Sequence, residues 1–471
     1  MKAEDGLLLC KLINIAVADT IDERCLNTKE NMNVYQKTEN INLALNAAKS
    51  IGCQVINIGA YDILEGKPIL ILGLVWQIIK IQLLSMISLK YHPELVVLLE
   101  EGEELQHFIK LPPEQILLRW VNYHLSKAGN PKRITNFGAD IADSEAYSVL
   151  LNQLNSSLCP LARQELPLEK ARQCIRNAAA LGSQPFINPK DICDGNKKLN
   201  LTYVAQIFNV CPGLFITEEE KATFDLSSLE IDDVGDSREE RQFRMWINSL
   251  CMEDLYVNDL FSDLRDGVIF LKLEDFLEPG VVNWKKVTST AEMSRFKKVE
   301  NANLAVTVGK GMKFTLVNVG GLDIVDGNKK IMLALAWQLL RRYTLQVLSD
   351  LAASEGAAEM TEERVVKWAN DKCSSAGKSR AIRNLKDKST SNSLFFLDLI
   401  HSVEPRAVEY ELVTAGETDE DKFSNAKYAI SCARKVGACV FLTPEDIVEV
   451  KSKMLLTLIA ALWSAELERN A

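Results

Sequence analysis

Histidine and cysteine side chains are the ones best suited to catalysis or metal binding, and their spacing in this sequence favours neither. No histidine stands at a metal-ligand spacing from another histidine or from a cysteine. The eleven cysteines include no Cys-x-x-Cys pair and are interpreted as reduced, mostly buried thiols of a reducing compartment. We therefore predict no catalytic residues, no metal site and no cofactor. The histidines are His92, His107, His124 and His401.

Two kinds of loop resemble ligand-binding motifs only superficially. Gly59 and Gly66 are separated by more residues than a phosphate loop allows, and Pro68 replaces the Ser or Thr that would hold magnesium. The Asp-Gly pairs that begin at Asp194 and Asp326 lack the alternating oxygen ligands and closing Glu of a calcium loop. We interpret all of them as turns that lead into helices.

One carboxylate side chain recurs at nearly constant intervals along the chain. An Asp-Ile pair occurs four times, at steps of 129, 132 and 123 residues. Because the same carboxylate returns in each segment, a structural helix cap is favoured over a unique acid–base pair. The aspartates are Asp62, Asp191, Asp323 and Asp446.

A second marker recurs with nearly the same period. Trp-x-Asn triplets begin at Trp120, Trp246 and Trp368, at steps of 126 and 122 residues. Repeats of this kind decide architecture before any single motif does. The tryptophans are predicted to be core residues, whereas the asparagines could be exposed or could bond a neighbouring loop. These asparagines are Asn122, Asn248 and Asn370.

A strongly apolar helix closes each unit, and its composition predicts a position at the centre of the unit. In the first unit Gln77, Lys80 and Gln82 interrupt the apolar run, which favours a buried helix over a membrane span. Ala205 stands where the first and third units have tryptophan, so the second unit should be packed differently. The closing segments are residues 67–80, 197–209, 329–342 and 453–466.

Length and charge agree with four helical modules. A chain of 471 residues is too long for one core, and strand-like alternation is nearly absent. The formal charge of −10 predicts no nucleic-acid partner, and the N-terminus has no signal-peptide pattern, so we expect a cytoplasmic protein with no membrane partner. The acidic connection 216–240 is expected to be a strap between two pairs of modules.

A first helix that carries Trp, then an Asp-Ile turn and then an apolar last helix resemble the calponin-homology domain. Residues 39–68, 316–345 and 444–454 resemble the fimbrin (plastin) family. The resemblance implies an all-α fold of four calponin-homology domains arranged as two tandem actin-binding pairs. We expect the first helix of the first module, and the family's calcium-binding motifs, to be missing from this chain. The expected modules are residues 1–90, 111–213, 237–348 and 360–471.

The resemblance also implies three contact surfaces in each pair: the first and last helices of the leading module and the first helix of the trailing one. These are residues 66–82 and 112–125 in the first pair, and 238–250, 329–344 and 361–372 in the second. Polar or long side chains on them are the predicted actin-binding residues. They are Lys67, Gln77, Lys80, Gln115, Arg119, Arg241, Arg244, Gln338, Arg341, Arg342, Glu363 and Lys367.

The implied function is binding and crosslinking of filamentous actin by a monomer that holds two filaments. A scaffold that binds one filament and a different partner is the main alternative, and an enzyme is a distant third. We expect reversal of both Arg341 and Arg342 to Glu to weaken filament binding without changing the melting temperature.

Overall fold

The computed structural model describes residues 3–89, 91–103, 105–109, 111–216, 238–253, 255–290, 293–351 and 360–470. Helices and turns make up these residues, and no β-strand occurs among them. The prediction of an all-α fold is confirmed. The expected strap falls almost wholly on residues 217–237, which lie outside the described ranges.

The first two modules contain the helices α1 to α10. In the first module these are α1 (Leu7–Ala16), α2 (Val34–Ser50), α3 (Ala60–Leu64) and α4 (Pro68–Ser85). A short helix, α5 (Leu105–Ile109), precedes the second module. The second module contains α6 (Pro113–Lys127), α7 (Glu145–Leu154), α8 (Pro167–Ala180), α9 (Pro189–Cys193) and α10 (Lys197–Val210).

The last two modules repeat this plan. The third contains α11 (Arg238–Ser249), α12 (Leu260–Asp263), α13 (Val268–Leu277), α14 (Arg295–Gly311), α15 (Gly321–Val325) and α16 (Lys329–Leu351). The fourth contains α17 (Glu362–Ser375), α18 (Leu394–Val403), α19 (Asp419–Lys435), α20 (Pro444–Val448) and α21 (Ser452–Asn470).

The repeated aspartates cap the short helices α3, α9, α15 and α20. Each carboxylate accepts a hydrogen bond from the backbone N–H three residues earlier, which satisfies a donor that the helix leaves free. Their interpretation as structural caps is confirmed. The bonds run from Gly59 to Asp62 (2.8 Å), Asn188 to Asp191 (3.0 Å), Gly320 to Asp323 (2.8 Å) and Thr443 to Asp446 (2.8 Å).

The asparagines of the Trp-x-Asn triplets bond a neighbouring loop, which resolves the alternative left open by the sequence. Each amide donates to the backbone carbonyl of one loop residue and accepts from the N–H of the same residue. The first helix of the module thereby holds that loop in place. The pairs are Asn122 with Ile134 (2.9 and 2.8 Å), Asn248 with Val257 (2.9 and 2.8 Å) and Asn370 with Ile382 (2.8 and 2.9 Å).

The triplet tryptophans pack against the closing helices. Trp120 and Trp246 are fully buried, as predicted. Trp368 is only half-buried, and its ring stacks on Trp463 of α21 at a centroid distance of 5.1 Å. It therefore covers the core of the fourth module rather than filling it.

The second module is packed differently, as its alanine predicted. Ala205 is fully buried, and the neighbouring Phe208 lies edge-on to Trp120 at 5.2 Å and to His92 at 4.9 Å. His124 is also buried against this cluster, and burial lowers its pKa. Phe208 thus packs directly on the triplet tryptophan of the second module.

The prediction of a buried, central closing helix is wrong for α4. Ile71, Leu74 and Ile78 are buried, but Ile69 is 84% and Leu72 63% exposed. Only 17% of the residues of α4 are buried inside the protein. By length and composition alone, this helix could cross a membrane. The physical reason is that it packs through one face only. In the other modules a Trp-bearing helix packs on the closing helix, and the described residues of the first module include no such helix.

The chain forms two compact units. One comprises Met1–Val75 and Asp236–Ala471, and the other comprises Trp76–Gly235. In the larger unit α2 of the first module packs along α19 of the fourth, and α16 packs along α21. The first module is therefore in contact with the fourth.

Candidate functional site

The three surface helices predicted for the second pair are close together in the larger unit. The first helix, α11, packs on the last helix of its module, α16. The Nε atom of Arg341 on α16 lies 2.6 Å from the Oε1 atom of Glu362, in the first turn of α17. The ion pair therefore joins the surface of the third module to that of the fourth.

Several candidates of this pair remain accessible. Arg241, Glu363 and Lys367 are exposed. The side chains of Arg341 and Arg342 are 45% and 41% exposed. Hydrogen bonds from its own backbone N–H and from Thr361 lower the pKa of Glu363, so this carboxyl is charged at neutral pH. The accessible surface thus carries both signs of charge, with arginine and lysine in excess.

Two other candidates of this pair are less accessible. The side-chain amide of Gln338 accepts from the backbone N–H of Thr315 and donates to its carbonyl at 3.1 Å, so it anchors the loop before α15. Arg244 is half-buried, and this burial lowers its pKa. The charges of Tyr256 and Asp259 raise the pKa, but by less than burial lowers it. Gln338 therefore contacts a loop of its own module, and Arg244 is partly shielded from solvent.

Lys367 lines a shallow depression of about 370 Å³ between α17 and α21. Its floor includes the stacked rings of Trp368 and Trp463. An ion pair between Lys372 and Glu466 joins the two helices beside it. The depression is open and mixes basic, acidic and aromatic side chains, as a macromolecular contact surface does. The remaining lining residues are Arg364, Asp371 and Ser375.

In the first pair, Lys67 belongs to the larger unit and precedes α4. Its Nζ atom lies 2.6 Å from Asp62 and 3.2 Å from Glu65, and the side chain is 48% exposed. The hydrogen bond to Asp62, followed by the one to Glu65, raises the pKa of Lys67. The lysine is therefore charged and accessible, but partly neutralised by its neighbours.

The other candidates of the first pair lie in the smaller unit. Gln115 is exposed and Gln77 is half-buried. The Nζ atom of Lys80 lies 5.6 Å from the centre of the Trp76 ring, a cation–π distance. Lys80 therefore has a fixed position on α4.

Arg119 forms an ion pair with a carboxylate of its own chain. Its guanidinium contacts both carboxylate oxygens of Glu103, at 2.5 and 3.1 Å, and lies 5.6 Å from the centre of the Phe108 ring. This hydrogen bond, more than any other interaction, lowers the pKa of Glu103 to about 2. The side chain is only 21% exposed. Arg119 thus fixes the segment before α6.

Comparison with known proteins identifies the repeated module. The model of the Calponin homology (CH) domain matches residues 2–83, 111–213, 237–345 and 359–467. Fimbrin from Saccharomyces cerevisiae is 46% identical and covers 98% of this chain and 72% of its own length. Plastin-1 from Mus musculus is 46% identical and covers 99% of this chain and 74% of its own length. The chain belongs to the fimbrin (plastin) family.

A solved structure gives the same fold over nearly the whole chain. The crystal structure of the actin-crosslinking core of Schizosaccharomyces pombe fimbrin is similar with a TM-score of 0.80 and 42% identity, covering 98% of this chain and 92% of that one. Fimbrin-3 from Arabidopsis thaliana is 46% identical over 99% of this chain, which spans 65% of its length. The predicted fold of four calponin-homology domains in a fimbrin-like core is confirmed.

Both leading modules of this chain expose an apolar pair that the sequence reasoning missed. In the first module Ile56 is 50% and Tyr61 70% exposed, and at the same places in the third module Val317 is 75% and Leu322 55% exposed. The turn between the members of each pair is also shared, because Asn57 and Asn318 both have φ near +55°.

The trailing modules differ at the second of these positions, one residue before the capping aspartate. The residue is Lys190 in the second module and Glu445 in the fourth. An exposed apolar residue in both leading modules, replaced by a charge in both trailing ones, is typical of a binding surface. The signal was present in the sequence, but selection of polar side chains alone passed over it.

Proposed function

We propose that this chain binds actin filaments through two regions and crosslinks them into bundles. The observation that carries the proposal is the likeness, over 98% of the chain, to a fimbrin fragment described as an actin-crosslinking core. The matches to four calponin-homology domains support the same reading. Each molecule would act as a monomer and hold two filaments, within the actin cytoskeleton of the cytoplasm, without catalysing a reaction.

In this proposal the second region is formed by α11, α16 and α17. Its accessible charged residues are Arg241, Arg341, Arg342, Glu363 and Lys367, and the apolar pair Val317 and Leu322 lies in the same module as α16. Aromatic and aliphatic anchors surrounded by charges are the usual composition of a protein interface. Gln338 and Arg244 would support this region by holding its loops.

For the first pair, the larger unit carries the apolar pair Ile56 and Tyr61 with the polar candidate Lys67. The smaller unit carries the polar candidates Gln77, Lys80 and Gln115, and Arg119 would position the segment that leads into α6. The domain bounds that go with this proposal remain 1–90, 111–213, 237–348 and 360–471.

The experiment compares single and double substitutions at the matched apolar positions. We expect Tyr61→Lys or Leu322→Lys alone to preserve binding in high-speed cosedimentation but to reduce bundling in low-speed sedimentation, because one region remains. The double variant should lose both activities. Lys190→Glu and Glu445→Lys, at the matching positions of the trailing modules, are the controls and should keep both.

These exposed positions also limit the effect on folding. Substitutions at surface sites usually change the free energy of unfolding by less than about 0.5 kcal/mol. If one single variant abolished binding altogether, the scaffold that holds one filament and another partner would be favoured. Full bundling by the double variant would contradict the proposed surfaces.

A further inference from the structure

Two buried cysteines meet where the first module packs on the fourth. Cys25 ends a short 3-10 turn, Glu23–Cys25, and Cys432 lies on α19. Their Sγ atoms are 3.4 Å apart across the contact, although the residues are 407 positions apart in the chain. We propose that Cys25 and Cys432 form an oxidation site, at which a low-molecular-mass disulfide such as oxidised glutathione converts them to an intramolecular disulfide that links the two modules.

Hydrogen bonds next to the thiols fix their relative position. The backbone N–H of Asp22 donates to the hydroxyl of Ser431 at 2.9 Å. The guanidinium of Arg24 donates to the carbonyls of Leu412 at 3.1 Å and Ser424 at 2.8 Å. Asp22 and Arg24 lie just before Cys25 in the first module, and their three partners belong to the fourth. The turn that carries Cys25 is therefore held against α19 independently of the thiols.

A second set of contacts extends the same interface along α19. The guanidinium of Arg434 donates to the carbonyl of Thr20 at 2.9 Å, and its own carbonyl accepts from the side chain of Asn46 at 3.0 Å. Arg434 is 5% exposed. A buried arginine held by the first module makes the two modules pack in one register. The packing of the two modules in one register therefore places the two thiols next to each other in every molecule.

The geometry requires a small movement only. A disulfide has an S–S distance of about 2.05 Å, so the sulfurs must approach by roughly 1.4 Å. In the described part of the chain no other two cysteine sulfurs come within hydrogen-bonding distance of each other. The protein contains eleven cysteines, so the pairing is a selective outcome that can be measured against the other thiols.

The reaction is an ordinary thiol–disulfide exchange. The thiolate of one cysteine attacks a sulfur of oxidised glutathione, which breaks its S–S bond and releases one glutathione thiolate. The other cysteine's thiolate then attacks the protein sulfur of the mixed disulfide and releases the second glutathione. Two protein thiols are oxidised, one glutathione disulfide is reduced to two thiols, and the two protons pass to the departing thiolates.

Burial sets the conditions under which the exchange proceeds. Desolvation, together with the hydrogen bond to Cys432, raises the pKa of Cys25 well above its usual range. The reactive thiolate is therefore scarce while the modules are packed together, and exchange requires a transient opening of the contact. Once formed, the bond would hold the first module on α19.

The test uses the full chain and maps its disulfides directly. The protein is incubated in a series of glutathione redox buffers with a disulfide isomerase as catalyst, with and without urea below the unfolding transition, and samples are taken at intervals until equilibrium is reached. Free thiols are then alkylated, and peptides are identified by mass spectrometry without reduction. We expect a linked peptide pair containing Cys25 and Cys432, a loss of two free thiols per molecule, and faster formation in urea.

Matched variants test the assignment. Cys25→Ser and Cys432→Ser should each abolish the linked pair, whereas Cys373→Ser, which removes another buried thiol, should leave it unchanged. Mapping of the unsubstituted chain does not depend on whether a variant folds. Absence of the linked pair in every buffer, a stable mixed disulfide at either cysteine, or preferential linkage of other cysteines would overturn the proposal. The readout is chemical and does not rely on filament binding.

Discussion

Two substitutions distinguish a direct role of Arg341 in filament binding from a structural one. Arg341→Gln and Glu362→Gln break the same ion pair between α16 and α17, but only the first removes a positive charge from the proposed surface. If Arg341 contacts the filament, the two variants should differ in affinity. If it only holds α17 against α16, they should behave alike.

The expected effects on stability are small and nearly equal. The side chains of Arg341 and Glu362 are 45% and 38% exposed, and exposed ion pairs contribute about 0.2–1 kcal/mol to the free energy of unfolding. Reversal of Arg341 to Glu would add a repulsion of similar size to this loss. The expectation that reversal leaves the melting temperature unchanged therefore needs revision, because Arg341 has a partner of opposite charge.

The assay is high-speed cosedimentation with actin filaments at two salt concentrations, together with urea unfolding. We expect Arg341→Gln to weaken filament affinity about tenfold, or about 1.4 kcal/mol, with a smaller effect at high salt. Glu362→Gln should bind at least as tightly as the unsubstituted chain. Equal weakening by both variants would refute direct contact and assign Arg341 to the interface between modules.

Three further predictions concern a loop-anchoring asparagine, a buried glutamate and the response to calcium. Asn248→Ala removes both partners of a buried loop backbone, so the free energy of unfolding should fall by about 2–4 kcal/mol, with faster hydrogen exchange at Val257; an unchanged exchange rate would contradict the hydrogen bonds. Burial raises the pKa of Glu274 from 4.5 to about 9, so its contribution to stability is present below pH 4.5 and is lost as the pH rises toward 9. Glu274→Gln should therefore stabilise the chain increasingly between pH 5 and 9 in thermal melts, and a pH-independent difference would contradict this. Bundling by this chain should not respond to a calcium chelator, and a shift of the low-speed sedimentation curve would show that it does.

The repeat itself was predictable because it depends on local chemistry. A capping aspartate and an apolar closing helix are each set by residues within a few positions of one another. The four modules and their caps could therefore be predicted from the sequence. The pair of hydrogen bonds between Asn248 and Val257 could be recognised only in the structure, because the triplet does not indicate which loop lies beside it.

A second set of asparagines was missed altogether. Asn40, Asn301 and Asn425 are buried, and each bonds both backbone groups of one residue in a preceding loop. They stand at the same place in their helices, so the repeat contained the signal. Helix-interior asparagine is unfavourable unless its side chain finds a partner, and that should have marked these positions.

The candidate residues were less predictable because a polar side chain on a helix does not state its partner. Arg119 and Gln338 were selected as polar or long side chains on the surface helices, and the structure shows that they also bond Glu103 and the backbone of Thr315. Such contacts join segments that are distant in sequence, and their formation depends on tertiary packing. The exposed Tyr61 and Leu322 could have been found by comparing modules, since a charge replaces them in the other two.

The contact between the first and fourth modules affects how two-site binding would work. Tyr61 and Leu322 both belong to the larger compact unit, in which α2 packs along α19. Their separation is therefore set by packed helices and not only by the length of a connecting segment. After one region binds a filament, the second region could reach only a restricted volume. Its effective concentration would therefore be high for a second filament at one distance and low for filaments at other distances. If the chain crosslinks filaments as proposed, a packed contact between modules would favour bundles of uniform spacing over random networks.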